Sequence, residues 1–177
     1  MLSKIAVTKT LEVRILFAVL VVILLLANFL IVAKERTLAD GKLMLLELAP
    51  RDPRSILQGD YMVLRYRMAG QIAQHSSELS EDGYVVVTLD SNNVAAFKRI
   101  YISSTPLKDD ENLLFYRKRN GVVKLATNAF FFQEQHGKYY SAARYGELRV
   151  SSGGDAVLTG LRDAKFQLLT PADSEDS

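Results

Sequence analysis

The 177-residue chain contains no cysteine and only two histidines, His75 and His136. The absence of thiols excludes a disulfide framework, thiolate metal sites, iron–sulfur clusters and cysteine nucleophiles. Two histidines also leave little material for a histidine-rich metal site or a catalytic triad. We therefore expect no metal and no cofactor, and the sequence indicates no catalytic residues.

The chain also lacks a strong excess of charge of either sign. Lys and Arg total 22 against 20 Asp and Glu, and 49% of the residues are hydrophobic. A disordered chain is poorer in apolar residues and more lopsided in charge, so this composition excludes one. Residues 37–177 hold 17 basic and 18 acidic residues, which gives a formal charge of −1. Because this domain lacks the basic footprint of a nucleic-acid binder, we expect no nucleic acid among its partners.

One long hydrophobic run, residues 15–33, is the most informative segment. It holds 19 residues, of which only Asn28 is polar. At ~1.5 Å per residue the run spans ~28 Å, about the thickness of the hydrocarbon core of a bilayer. A cleaved signal peptide would have an apolar core of ~7–15 residues followed by a small-x-small site, and here only a weak match at Thr37-x-Ala39 follows. The run therefore predicts a retained transmembrane anchor, with the lipid bilayer as one partner.

The two flanks of this anchor carry equal numbers of Lys and Arg residues, three on each side. Export of the C-terminal side is favoured because long domains are translocated largely regardless of their charge. The expected organisation is a cytoplasmic tail at 1–14, the anchor at 15–33, a linker at 34–42, an exported β domain at 43–169 and an acidic tail at 170–177.

Residues 43–169 show the patterns of short strands separated by turns. Asn120-Gly121 lies between two strand-like runs, which is the strongest short signal for a hairpin because both turn residues need a positive φ. About nine short strands predict a mainly β fold, either a compact sandwich or an open-barrel-like domain, with at most one or two short helices. One such helix is expected within residues 138–145, with Gly146 at its C′ position.

Residues 59–66 read Gly-Asp-Tyr-Met-Val-Leu-Arg-Tyr and match the pattern GDYxxLxY. Hydrophobic alternation from residue 60 to residue 68 predicts one continuous strand. One face of this strand collects side chains that we expect in the core: Met62, Leu64, Tyr66 and Met68. The opposite face collects side chains that we expect on the outside: Tyr61, Val63, Arg65 and Arg67.

The chain resembles the bacterial family that is named after this motif. The approach Asp52-Pro53-Arg54, the segment 143–150 (Ala-Arg-Tyr-Gly-Glu-Leu-Arg-Val) and the single N-terminal anchor also look like those of the family. The resemblance covers most of residues 15–169, although Gln135 stands where a glycine is expected. It implies a membrane-anchored protein without an assigned activity, often found beside a multi-pass membrane protein. The expected location is the bacterial inner membrane, single-pass, with the C-terminal domain periplasmic or otherwise extracytoplasmic.

The motif has two interpretations. In the first, it is a structural corner at the start of a strand, since glycine permits a sharp turn and an aspartate accepts backbone N–H bonds there. The structural residues are then Asp52, Pro53, Gly59, Asp60, Tyr61, Leu64 and Tyr66. In the second, outward tyrosine and arginine side chains form a docking surface, because both residue types are enriched at the energetic centres of interfaces. The candidate partner-binding residues are Tyr61, Arg65 and Arg67, to which the sequence adds Asn28 and Phe131.

Asn28 and Phe131 are candidates for different reasons. A polar side chain in lipid favours a hydrogen bond to another helix, although Asn28 has the alternative of being a tolerated residue near the outer half of the anchor. Phe131 has the opposite parity to its aromatic neighbours, which indicates an exposed ring available to a partner or to lipid.

A catalytic interpretation rests on weaker patterns. A Gly-Asp pair after a single membrane anchor is also similar to signal-peptidase-like serine proteases, which need a serine nucleophile and a lysine base. Ser55 lies only four residues before Gly59, and no lysine follows it until Lys98, which has no supporting motif. This alternative is therefore an envelope hydrolase whose catalytic residues the sequence does not identify.

The patterns that would indicate a metal site are as weak as those for a catalytic site. Glu134 and His136 lack a third ligand at a fitting spacing. The acidic run 109–111 lacks the glycine and the spaced oxygen ligands of a calcium loop and predicts a solvated loop instead. The function that the sequence favours is a membrane-anchored accessory or binding subunit of the envelope, without catalysis, that partners a multi-pass membrane protein. A ligand sensor is a further alternative.

Overall fold

The structure, a computed structural model, describes residues 2–49, 61–75, 77–133 and 136–171, with the side chains of 2–11 and 33 excluded. The chain forms two compact units, Met1–Arg36 and Thr37–Ser177. Several residues singled out in the sequence lie outside the described ranges: Asp52, Pro53, Ser55, Gly59, Asp60, Glu134 and Gln135.

Helix α1 spans Leu2–Asp40 and contains the predicted anchor. From Glu12 to Asp40 it is long and apolar enough to cross a membrane, and its most hydrophobic stretch is not buried against the described protein. A helix that is apolar on all sides is unfavourable in water unless other protein covers it. An uncovered helix of this kind is expected in a segment surrounded by lipid. Residues 34–40, where a linker was expected, continue the helix.

The second unit consists of short strands in three antiparallel sheets. The strands of the described residues are β1 Lys42–Glu47, β2 Tyr61–Val63, β3 Asp82–Leu89, β4 Ala95–Ile100, β5 Glu111–Arg119, β6 Val122–Leu125, β7 Ala129–Phe131, β8 Tyr145–Val150 and β9 Ala156–Arg162. Their orders are β1-β8-β9, β2-β7 and β4-β3-β5-β6. One sheet curls as half of a barrel, and the predicted mainly β fold is confirmed.

Isolated bridges join the sheets to one another. Leu45 in β1 pairs with Val94, which precedes β4, and Leu48 pairs with Tyr66, which follows β2. The predicted Asn-Gly hairpin connects β5 to β6, with φ of 51° at Asn120 and 76° at Gly121. Both angles lie in the left-handed region that a tight two-residue hairpin requires.

The strand predicted for residues 60–68 is wrong in its second half. β2 ends at Val63, and helix α2 begins at Arg67 and runs to Ala73. The alternation in burial nevertheless holds from Tyr61 to Met68, because residues 61–66 are extended and Met68 then turns inward from the first turn of α2. The alternation of buried and exposed side chains over residues 60–68 therefore does not come from one strand. It comes from a strand, an extended connection and the first turn of a helix in succession.

The helix expected within residues 138–145 is also displaced. A short 3₁₀ helix occupies His136–Tyr140, and Gly146 belongs to β8 rather than to a helix C-terminus. A Cβ atom on Gly146 would lie 3.1 Å from Cε1 of Tyr66, so the glycine makes room for a neighbouring ring.

The burial pattern of the motif segment yields a test of its packing. We predict that Leu64→Ala lowers the free energy of unfolding by ~2–5 kcal/mol, because Leu64 is buried in the main core cluster. Arg65→Ala should change it by no more than about 0.5 kcal/mol, because Arg65 is exposed. Chemical denaturation of both variants measures the difference, and equal losses would contradict the observed inward and outward positions.

Candidate binding face around the GDYxxLxY segment

The pairing of β2 with β7 brings the motif tyrosine next to the exposed phenylalanine. Tyr61 lies opposite Phe131 in the register, and Val63 lies opposite Ala129. The ring centroids of Tyr61 and Phe131 are 5.8 Å apart. Tyr61 is 46% exposed, Val63 46% and Phe131 74%. These three side chains form a small apolar surface, the aromatic face, to which two distant parts of the sequence contribute.

The neighbours of Phe131 explain its outward position. Phe130 and Phe132 contact the ring of Tyr140, at centroid distances of 4.9 and 5.5 Å, and pack against the core. Because side chains alternate along β7, burying these two rings leaves Phe131 on the outside. Phe131 is thus exposed while its aromatic neighbours face the core, as the alternation in the sequence predicted.

Leu64 and Tyr66, the last two fixed residues of the GDYxxLxY pattern, hold the turn that precedes β7. The Tyr66 hydroxyl donates to the carbonyl oxygen of Thr127 at 3.1 Å, and the Leu64 N–H donates to the carbonyl of Asn128 at 2.7 Å. Burial raises the pKa of Tyr66 above its usual value, so the hydroxyl stays a proton donor. The turn also contains Ala126 at φ 47°, a conformation that costs a non-glycine residue ~1–2 kcal/mol.

Thr127, Asn128 and Gly146 are site residues that sequence reasoning missed. Thr127 adds a local brace, since its side-chain hydroxyl donates to the carbonyl of Ala129 at 3.1 Å. Gly146 accommodates the Tyr66 ring from the adjacent β8. The contacts of Thr127, Asn128 and Gly146 with Leu64 and Tyr66 join segments about 60 to 80 residues apart, and local spacing carries no signal for them.

A groove of about 550 Å³ lies beside the aromatic face, between α2 and β6. We call it the β6 groove. Its walls are mostly apolar and include small residues of α2 on one side and the strand β6 on the other: Ala69, Gly70, Ala73, Val122, Val123, Lys124 and Leu125. Val63 belongs both to the groove and to the aromatic face, which makes the two surfaces continuous.

The arginines of the predicted docking surface separate in the structure. Arg65 is exposed and lines the β6 groove. Arg67 is the first residue of α2, and its guanidinium lies 3.1 Å from a carboxylate oxygen of Glu47. The expected single strand face therefore contains Tyr61 and Arg65, while Arg67 belongs to a helix and to an exposed ion pair.

Asn28 belongs to the other unit. Its amide Nδ2 donates to the backbone carbonyl of Leu24, one turn earlier, at 2.8 Å. One of its two N–H groups is therefore satisfied within α1, which lowers the demand for a partner.

The acidic run predicted as a solvated loop contains a buried carboxylate that is paired with two partly exposed cations, so the prediction is wrong for Glu111. Its side chain is 2% exposed and lies 3.1 Å from Nζ of Lys98 and 2.9 Å from the Arg99 guanidinium. A backbone hydrogen bond from Lys108, followed by the bonds to Arg99 and Lys98, lowers the pKa of Glu111 to about 2. Glu111 becomes buried because it is the first residue of β5, which pairs with β3.

The same cluster bears on the hydrolase alternative. The hydrogen bond to Glu111, together with the nearby Asp110 carboxylate at 3.5 Å, raises the pKa of Lys98. A lysine general base needs the opposite shift, towards neutrality. Within the described ranges, no group of three His, Cys, Asp or Glu residues converges as a metal site requires.

These features can be compared with known proteins. The model of the GDYXXLXY protein family matches residues 23–161, well over half of the chain. The chain belongs to the GDYXXLXY family. No curated protein and no solved structure matches it. The family match extends from within α1 to β9, so it includes every described element of the aromatic face and of the β6 groove.

The role of the Tyr66 hydroxyl can be tested against the other motif tyrosine. We predict that Tyr66→Phe lowers the free energy of unfolding by about 1–3 kcal/mol, because the Thr127 carbonyl loses its donor in a partly buried position. Tyr61→Phe should cost no more than about 0.5 kcal/mol, since its ring is half exposed. Thermal or chemical unfolding measures both, and an equal loss in the two variants would show that the hydroxyl of Tyr66 does not hold the turn.

The ion cluster yields a prediction about pH. Because the folded-state pKa of Glu111 lies below its unfolded value of 4.5, its contribution to stability is complete above pH 4.5 and is lost as pH falls towards 2. We predict that Glu111→Gln is less stable than the wild type at pH 7 and has a flatter decline in stability between pH 4.5 and 2. Denaturation midpoints across this range measure the slope.

Glu81→Gln is the matched control for that experiment. Glu81 is an exposed acid whose oxygen lies 3.9 Å from the Arg119 guanidinium. It should keep the wild-type slope, because exposed ion pairs contribute little to stability. If Glu111→Gln declined as steeply as Glu81→Gln, another carboxylate would be responsible for the acid dependence.

Proposed function

We propose that this member of the GDYXXLXY family is an accessory or binding subunit of the bacterial cell envelope. In this proposal α1 spans the inner membrane once, and the unit Thr37–Ser177 lies on its outer side. The subunit binds a multi-pass membrane protein through the aromatic face. The exposed Tyr61–Phe131 pair is the observation that carries the proposal.

The composition of the aromatic face supports a protein contact. Exposed rings side by side are unfavourable in water, and tyrosine and phenylalanine are enriched at protein interfaces. The two rings lie on paired strands, so their position is set by backbone hydrogen bonds rather than by flexible loops. A preorganised aromatic pair loses little conformational entropy on binding.

Because α1 anchors the protein in the membrane, a small contact surface is sufficient for stable binding to a partner in the same bilayer. Two proteins in the same bilayer meet at a high effective concentration, because each has lost most of its freedom to diffuse away. A contact that would be weak between soluble proteins then holds an assembly together. This agrees with an aromatic face of only three side chains.

The adjoining groove also supports binding rather than chemistry. Its described lining is mostly apolar; the polar side chains in it are Arg65, Lys124, Tyr66 and Asn128, and it contains no carboxylate or histidine. General acid–base catalysis needs titratable groups close to the reacting atoms. Together with the ion pairing of Lys98, this favours the binding subunit over the envelope hydrolase.

The test is co-purification of membrane proteins with the full chain in a mild detergent. We predict that replacing both Tyr61 and Phe131 by serine lowers the amount of bound multi-pass protein about tenfold or more, as for loss of aromatic hot spots. The control Ile102→Ser removes an equally exposed apolar side chain away from the face and should retain the partner. Asn28→Leu separates any contribution of α1.

Two outcomes would contradict the proposal. One is full retention of the bound protein by a folded double variant, which would exclude the aromatic face as the docking surface. The other is a C-terminal reporter that is active only in the cytoplasm, which would place the β unit on the wrong side of the membrane. Circular dichroism of each purified variant confirms that it remains folded.

A further inference from the structure

A second pocket of the β unit lies where α1 joins β1. Its volume is about 320 Å³, and the end of α1, the start of β1, the approach to β5 and the turn after β8 enclose it. We call it the Asp40 pocket. Charged, hydroxyl and apolar side chains line it together, among them Asp40, Lys42, Leu107, Val150, Ser151 and Ser152. This volume is at the lower end of the range for small-molecule sites, so the pocket fits a small polar group.

Asp40 carries a negative charge that no described residue compensates. It is the last residue of α1, where a carboxylate meets the negative end of the helix dipole. Its side chain is exposed and belongs to none of the ion pairs between described residues. A carboxylate in this position is stabilised by a cation from outside the chain.

Lys42 supplies the opposite charge in the same pocket. Its Nζ donates to Oδ1 of Asn112 at 3.0 Å, which uses one of its three N–H groups. Within the described residues Lys42 makes no ion pair, and Asp40, two positions earlier, is not within ion-pair distance of it. A pocket with a separate carboxylate and ammonium is complementary to a ligand that carries both charges.

The turn after β8 adds hydroxyl donors on the lining. Oγ of Ser151 accepts the N–H of Asp155 at 3.1 Å, so its own proton remains for another acceptor. Ser152, the next residue, is exposed and lines the pocket as well. Lysine and serine side chains are common donors to phosphate oxygens. The anionic part of the ligand is therefore suited to be a phosphate.

The lining also distinguishes between kinds of amine. Quaternary ammonium groups are bound by cages of aromatic rings, and the described lining of the Asp40 pocket contains no aromatic side chain. A primary ammonium instead has three N–H donors that a carboxylate accepts. An anionic ligand without an amine would place a second negative charge near Asp40. The pocket therefore favours a phosphate ester of a primary amine.

Chain length places this pocket near the membrane surface. Asp40 is seven residues beyond residue 33, the end of the apolar run, and α1 is helical throughout. At ~1.5 Å per residue this is ~10 Å, and the headgroup layer of a bilayer is about 5–8 Å thick on each side. The limit holds for any orientation of the β unit, because the length of the helix sets it. Lipid headgroups are thus a concentrated source of phosphate esters within reach.

We propose that the Asp40 pocket binds the headgroup of a phospholipid with a primary amine, of the phosphoethanolamine type. Asp40 accepts hydrogen bonds from the ammonium, and Lys42 donates to the phosphate together with the hydroxyls of Ser151 and Ser152. The inference rests on the membrane-spanning α1 of the proposed function, but on neither the aromatic face nor the multi-pass partner. A bound headgroup holds the β unit close to the bilayer.

The direct test is native mass spectrometry of the delipidated full chain in an uncharged detergent. Phosphatidylethanolamine, phosphatidylcholine and phosphatidylglycerol with the same acyl chains are added at equal concentrations, and the bound lipid is read from the mass. We expect phosphatidylethanolamine to bind at least about fivefold more tightly than either of the others, the size of one exposed charge contact. Because the acyl chains are shared, contacts of lipid tails with α1 contribute equally to all three.

Two substitutions separate the two charges of the pocket. Asp40→Asn should abolish the preference for phosphatidylethanolamine over phosphatidylcholine. It also removes an acid from a helix C-terminus, so the loss cannot be assigned to a weakened helix end. Lys42→Gln should weaken both lipids about equally, since both carry the phosphate. Asp109→Asn is the matched control, because Asp109 is exposed, does not line the pocket and should leave the preference unchanged.

A water-soluble headgroup distinguishes the source of the ligand. Glycerophosphoethanolamine has the same charges as the lipid but is not confined to the micelle. We expect it to displace the bound lipid only at a concentration at least about tenfold higher, because confinement raises the effective concentration of the lipid. Displacement at equal concentration would identify a soluble phosphate ester as the ligand and overturn the assignment to a lipid.

The remaining outcomes decide the pocket and the proposed function separately. Equal binding of the three lipids by the wild type would exclude a headgroup site. An unchanged preference in a folded Asp40→Asn variant, checked by circular dichroism, would place the site elsewhere. A wild type that prefers phosphatidylethanolamine but retains no multi-pass protein supports the pocket and contradicts the proposed function. Retention of the multi-pass protein without a lipid preference does the reverse.

Discussion

The packing of Tyr66 is the constraint on which the arrangement of the second unit depends. The β2–β7 sheet has three residue pairs, far fewer than an isolated ribbon needs to be stable in water. Tyr66 connects it to the rest of the unit, because its ring packs over Gly146 of β8 and its hydroxyl bonds to the carbonyl of Thr127. One buried side chain thus contacts segments from both halves of the domain. These contacts fix the position of the strands that form the aromatic face.

The distribution of charge distinguishes the interior from the face. Glu111 is buried with two cations around it, so the charges of this cluster neutralise one another. Arg65 and Lys124, in contrast, lie beside apolar surface without a described acidic partner. Paired charges contribute to folding in this cluster, whereas exposed cations beside an apolar groove, with no acidic partner among the described residues, are suited to an external anionic or mixed surface. This contrast favours recognition over catalysis.

Local patterns predicted much of the fold, and their failures have physical causes. The Asn-Gly hairpin follows from backbone angles that few other residues adopt. The strand predicted across residues 60–68 failed because an extended segment and the first turn of α2 happened to bury alternate residues in sequence. The sequence placed Gly146 at a helix end, which is wrong. The glycine is needed because the Tyr66 ring packs against it, and local patterns do not reveal a contact with a residue 80 positions away.

The sequence by itself determined the apolar helix, the mainly β character and the inward or outward position of the motif side chains from Tyr61 to Tyr66. These properties depend on composition and on periods of two and 3.6 residues, which neighbouring residues specify. Only the tertiary structure decided that Tyr61 lies against Phe131, that Glu111 is buried and that a groove opens beside β6. Each of these depends on which strands become neighbours, and strand order is set by long-range packing that no local pattern encodes.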